Sequence, residues 1–147
     1  MTAARVVTEF SLDDLRSDDV RFLQEAARHG ALHVRVPSDE LVEQLTGSRP
    51  KFPLAERLFL ADSLRWVGSA EVVDQPLASG QQAVPPEADV LAVRAEDDGP
   101  AVRAVAGAAE LRVVAITPDD RAGFPLIEPE AELAEGAPTV IVTGCFD

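Results

Sequence analysis

The sequence predicts an α/β fold: a five-stranded parallel sheet with helices on both faces. Three observations carry this. Strand-like and helix-like segments alternate along the chain, as parallel pairing with crossover helices requires. At 147 residues and 46% apolar composition, one domain with a full hydrophobic core is within reach. No apolar run is long enough to span a membrane.

The elements follow in order. Arg5-Val6-Val7-Thr8, within a segment starting at Ala4, is a buried strand. Ser17 is an N-cap with Asp18 and Asp19 in the first turn, and the helix presents Val20, Leu23 and Ala27 on one face until Gly30 stops it. Ala31–Val36 is the second strand. Ser38 caps a helix over Asp39–Leu45, with Leu41, Val42 and Leu45 at helical spacing. Gly47–Pro53 is a loop, because two prolines and a glycine break regular structure. Leu54–Ser63 is the third helix, burying Leu54, Leu58 and Ala61, and Trp66 belongs to the core or its rim just beyond it. Ala70–Val73 is a short strand, and 75–87 reads as a loop with little structure. Val90–Val93, an alanine-rich helix at Pro100–Ala109 and Leu111–Ile116 complete the pattern.

Beyond Phe124 the composition changes. Residues 125–138 read as an acidic, proline-containing linker, and Thr139–Asp147 looks like another strand and turn. A lone strand is no independent domain. The expected organisation is a first domain over 1–124, a linker over 125–138, and the first strand of a truncated second copy over 139–147. In this view the chain is a piece of a tandem protein. The other possibility is that the last strand docks onto the first sheet.

The net charge of −13 is uneven: residues 1–66 carry 9 basic and 11 acidic residues, and residues 67–147 carry 4 and 15. Such acidity argues against nucleic acid or anionic membrane as a partner. Cys145 is the only cysteine, which excludes an intrachain disulfide, and the N-terminus has no signal-peptide core. A cytoplasmic setting is expected.

Leu12-Asp13-Asp14-Leu15-Arg16-Ser17-Asp18-Asp19-Val20-Arg21-Phe22, lying between the first strand and first helix, resembles the opening of the cytidylyltransferase-like family. There a Phe-Asp-x-Leu-His-x-Gly-His segment leads into Val-Arg-Phe. Thr139–Asp147 pairs loosely with Arg5–Asp13, which suggests the second copy. The resemblance covers residues 4–124 and implies a Rossmann-like fold of the nucleotidyltransferase type. It also implies transfer of a nucleotide to a hydroxyl or phosphate oxygen with loss of pyrophosphate. In the family, two imidazoles meet the phosphates at the N-terminus of the first helix, an end that already favours anions.

This chain departs from that pattern where the chemistry lies. Arg16 stands for the first histidine, Asp18 for the glycine and Asp19 for the second histidine, while Phe10 occupies the glycine position after the strand. At roughly 4 Å and an effective dielectric of about 20, each carboxylate facing a phosphate costs about 4 kcal/mol. Arg16 can hold a phosphate but cannot act as an acid near neutral pH. Mg2+ held by Asp18 or Asp19 would be one rescue. The simpler role of Ser17, Asp18 and Asp19 is to cap the helix and complement its dipole.

Val36-Pro37-Ser38-Asp39 through Gly47, followed by Pro50–Arg57, resembles the family's Val-x-Ser-Asp segment, Lys-Gly loop and following Glu-Arg. Thr46 replaces the lysine. Lys51, the only lysine of the chain, and Arg57 remain as nucleotide-binding candidates beside Arg16, and Arg57 has a salt bridge at a helix start as its structural role. Ala88–Asp97 resembles the strand ending in Lys-Gly-x-Asp, with only Asp97 matching among the polar positions. The late Ile-Ser-Thr-Thr segment has its nearest match in Ile116–Arg121, which reads as a turn. His29 and His33 have no partner at metal or triad spacing.

The expected function is a catalytically impaired cytidylyltransferase-like domain, structural or regulatory beside an active nucleotidyltransferase domain. A second domain of that kind, or a homodimer, would be its partner. Two alternatives stand. One is an active enzyme that transfers a cytidylyl or adenylyl group to a small phosphorylated alcohol or sugar. The other is a sensor binding CTP or ATP weakly, with Mg2+, without turnover.

Overall fold

A computed structural model describes residues 3–80 and 84–125. Five strands, β1 (Arg5–Glu9), β2 (Ala31–Pro37), β3 (Ser69–Val73), β4 (Val90–Arg94) and β5 (Arg112–Ile116), form one sheet in the order β3-β2-β1-β4-β5. All pairings are parallel. The helices are α1 (Ser17–Ala27), α2 (Asp39–Thr46), α3 (Leu54–Ser63) and α4 (Pro100–Ala108). This is the Rossmann-like α/β architecture expected from the sequence. Residues 126–147, on which the expected repeated strand, Cys145 and nearly all of the expected linker fall, lie outside the described residues.

Alternation along the strands builds two cores. Val6, Leu32, Val34, Val36, Val90 and Ala92 face one side and pack against Phe22, Leu23 and Ala26 of α1 and Ala61 of α3. Val7 and Leu91 face the other, with Val105 and Ala106 of α4. Helices therefore cover both faces.

Several local expectations shift. The N-cap of α1 is Arg16, and Ser17 is the first helical residue. The Asp19 carboxylate accepts from the Arg16 N–H at 2.8 Å, giving half of a capping box. The buried residues of α1 are Arg21, Phe22, Leu23 and Ala26, while Val20 is half-buried and Ala27 packs at the core edge. At α3, Arg57 and Ala61 are the buried residues, while Leu54 and Leu58 pack at the core edge. The stretch after β3 is not featureless: Leu77–Ser79 forms a 3-10 turn, and Leu77 enters the second core. Ser38 caps α2 as expected, accepting from Leu41 N–H at 3.2 Å.

Gly30 does more than end a helix. Its φ is +149°, and a Cβ there would lie 2.0 Å from the Ala4 carbonyl oxygen. Only glycine lets the chain turn so closely past β1 into β2. Among the described residues no helix is long and apolar enough to cross a membrane.

Candidate functional site

In open α/β sheets, the crevice for a ligand forms where the strand order reverses, at the carboxyl ends of the strands. Here that point lies between β1 and β4. Their pairing covers only Val6↔Val90 and Val7↔Leu91, against five pairs between β1 and β2. Beyond it, the Thr8 hydroxyl donates to the Ala92 carbonyl at 2.9 Å. The crevice so opened has a volume of about 340 Å³ and is lined by Glu9, Phe10, Phe22, Leu77, Arg94 and Asp97 among others. Burial pushes the Glu9 carboxyl up, opposed by the Leu77 N–H and by Arg35.

The N-terminus of α1 lies beside this crevice, and its charges are already matched. Arg94, the last residue of β4, donates through Nη1 to Asp18 and through Nη2 to Asp19. Its guanidinium sits 5.7 Å from the Phe10 ring centroid and 5.2 Å from that of Phe22. The two rings stack at 5.7 Å. Arg121, in the turn after β5, donates through Nε to Asp18 at 3.0 Å and through Nη1 to the Ile116 carbonyl at 3.0 Å. It also holds Glu96 through both terminal nitrogens, and its side chain is 5% exposed. The Arg94 hydrogen bond, with help from Arg121, holds the Asp18 carboxyl below the usual carboxylate range.

The closed network has a pH signature. Arg121 lowers Glu96 from its ordinary 4.5 to about 2. A carboxylate whose folded-state pKa is depressed contributes stability that is complete above its unfolded pKa and lost as pH falls through the folded one. The contribution of Glu96, reinforced by Asp18, is therefore expected to disappear between pH 4.5 and about 2. Urea midpoints measured down this range will show the loss. Arg121→Gln, being already deprived of the pairs, will show a shallower one. Equal slopes in the two proteins would remove the network from the account.

The predicted phosphate-contacting residues fall in two places. Arg16 and Lys51 meet over one carboxylate: Asp14 accepts from Arg16 Nη2 at 3.4 Å and from Lys51 Nζ at 2.9 Å. Both cations are largely exposed. Arg57 is elsewhere in character. It is fully buried and donates to the carbonyls of Phe52, Ser11 and Pro37 and to Asp39 Oδ1 at 2.6 Å. It binds the loop after β1 to the start of α2 and α3.

That loop is held under strain. Leu12 and Asp14 have φ of +58° and +53°, a region costly for residues with a Cβ. Burial of Leu12 compensates, as do the bonds from the backbone N–H groups of Lys51 and Phe52 to the Asp13 carboxylate, each 3.0 Å.

Arg94, Arg121 and Glu96 were not among the residues singled out in the sequence. A signal existed: two adjacent acids in a first helical turn need cations, and residues 67–147 contain only four. One of these, Arg94, ends β4, and another, Arg121, lies in the turn after β5. Asp18 and Asp19, expected as possible Mg2+ holders, are engaged by arginine. Among the described residues no group of three or more His, Cys, Asp or Glu side chains could hold a metal ion.

No protein-family model matches the chain, and no curated protein matches it. Among solved structures, the lipopolysaccharide core biosynthesis protein from Thermoplasma volcanium GSS1 is similar, with a TM-score of 0.64 and 19% identity. The likeness covers 77% of this chain and 95% of that one. It establishes a shared fold.

Proposed function

We propose that this chain is a cytidylyltransferase-like domain that does not transfer nucleotides and acts structurally or as a regulator beside an active nucleotidyltransferase domain. The observation that carries the reading is the closed Asp18–Asp19–Arg94–Arg121 network at the N-terminus of α1. A triphosphate at that end would have to displace two internal carboxylates from two arginines and move the Phe10–Phe22 stack. Fold alone brings no activity with it. The linker-like composition of 125–138 and the strand-like Thr139–Asp147 support a following domain; a homodimer is the other partner arrangement.

The rival readings, an active transferase and a CTP or ATP sensor with Mg2+, draw their support from Arg16 and Lys51, which remain exposed over Asp14. Calorimetric titration with CTP and Mg2+, repeated with ATP, separates the cases. The expected result is no saturating heat at millimolar nucleotide. Saturating heat that vanishes in Lys51→Ala would overturn the proposal, and release of pyrophosphate with a phosphorylated alcohol would then decide between sensor and enzyme.

A further inference from the structure

Away from the crevice, the outer half of the sheet carries a second polar arrangement. In β2, His33 alternates with Leu32 and Val34 and so points to the opposite face from the first core. The parallel register sets Ser69 of β3 opposite His33 and Glu71 opposite Arg35. Ser69 and Glu71, two residues apart, share that face with His33. The His33 ring lies between them: Nδ1 is 2.7 Å from Ser69 Oγ, and Nε2 is 3.3 Å from Glu71 Oε1. His33 is 6% exposed. Its Nε2 is a buried nitrogen without an aligned hydrogen bond, so the Glu71 contact is a close approach rather than a formed bond.

One tautomer matches the order of the three groups. With the proton on Nε2, the ring presents N–H to Glu71 and a lone pair on Nδ1 to the Ser69 hydroxyl. A hydroxyl that donates to an imidazole backed by a carboxylate is the arrangement that activates a serine. Ser69 is exposed, and it lines a cavity of about 750 Å³ together with Gly68, Leu32, Arg5 and Asp89.

We infer that Ser69, His33 and Glu71 form a serine nucleophile relay that takes acyl groups from small activated esters. Ser69 Oγ attacks the ester carbonyl, the Oγ–C bond forms and the bond to the leaving oxygen breaks. The hydroxyl proton passes to His33 Nδ1 and from there to the departing alkoxide. Water then cleaves the acyl-serine by the reverse route, returning the hydroxyl and releasing the carboxylic acid. Ser69 is the catalytic nucleophile and His33 its base, and Glu71 is a positioning residue. The Gly68 N–H donates to the Leu32 carbonyl at 2.9 Å and is not free to polarise a substrate. Reaction is therefore expected with esters that have good leaving groups, such as p-nitrophenyl acetate.

The test is labelling of the whole chain with a fluorophosphonate, which leaves fluoride and a phosphonylated serine, followed by peptide mass spectrometry. The adduct is expected on Ser69 and is absent in Ser69→Ala. Glu71 is half exposed and its substitution spares the core. Glu71→Gln should slow labelling by roughly tenfold or more, and Glu71→Asp should restore most of the rate. No adduct on Ser69, or an unchanged rate in Glu71→Gln, would overturn the relay. Neither result bears on nucleotide binding, which the calorimetry reads separately.

Discussion

Replacing Arg57 with alanine is expected to lower the stability of the domain by about 3–5 kcal/mol. The guanidinium is fully buried, and its donors meet three carbonyls and one carboxylate. Truncation leaves those acceptors without their donor, and each buried acceptor so orphaned costs about 1–3 kcal/mol. Lysine keeps the charge but not the planar fork, and a single ammonium cannot reach acceptors contributed by residues 11, 37, 39 and 52 at once. Arg57→Lys is therefore expected to recover only a small part of the loss. Urea denaturation followed by fluorescence of Trp66, the only tryptophan, measures both. A loss near zero would return Arg57 to the list of ligand-binding residues, because a side chain kept for a phosphate contributes little to the free fold.

Phe22→Ala is expected to cost a similar amount, about 3–5 kcal/mol, for a different reason. Phe22 is 2% exposed and sits in the core between α1 and the sheet. Its removal leaves a cavity that the surrounding strands cannot fill. The ring also lies against Phe10 and beneath Arg94, so the same substitution loosens the stack beside the crevice. Phe22→Leu keeps most of the volume and should cost markedly less. The two variants together separate core packing from the aromatic contact: a leucine variant as unstable as the alanine one would place the energy in the stack. With the stack loosened, nucleotide binding in the Phe22→Leu protein asks directly whether the closed end excludes phosphate.

The fold was legible because it depends on local pattern. Alternation of apolar runs, Ser38 before an amphipathic stretch, and the breaks at Gly47–Pro53 are short-range signals, and α3 begins and ends at the residues its sequence suggests. Residues 12–22 fall between the first strand and the first helix as read, with the N-cap at Arg16 rather than Ser17. What the resemblance left open was the company those residues keep. Arg57 reads as either an anion contact or a salt bridge at a helix start; it pairs with Asp39, and the loops at 11, 37 and 52 enclose it. Asp18 and Asp19 read first as charges that complement the helix end, and Asp19 does cap it, but two arginines more than seventy residues away also meet them.

By itself the sequence determined the order of elements and the parallel sheet, since hydrophobic period and capping act over a few residues. Only the tertiary structure decided which charges neutralise one another and which serine meets His33. Those pairings span 36 to 103 residues along the chain. No local period encodes a contact that exists only once strands β2 and β3, or β4 and α1, have been brought side by side.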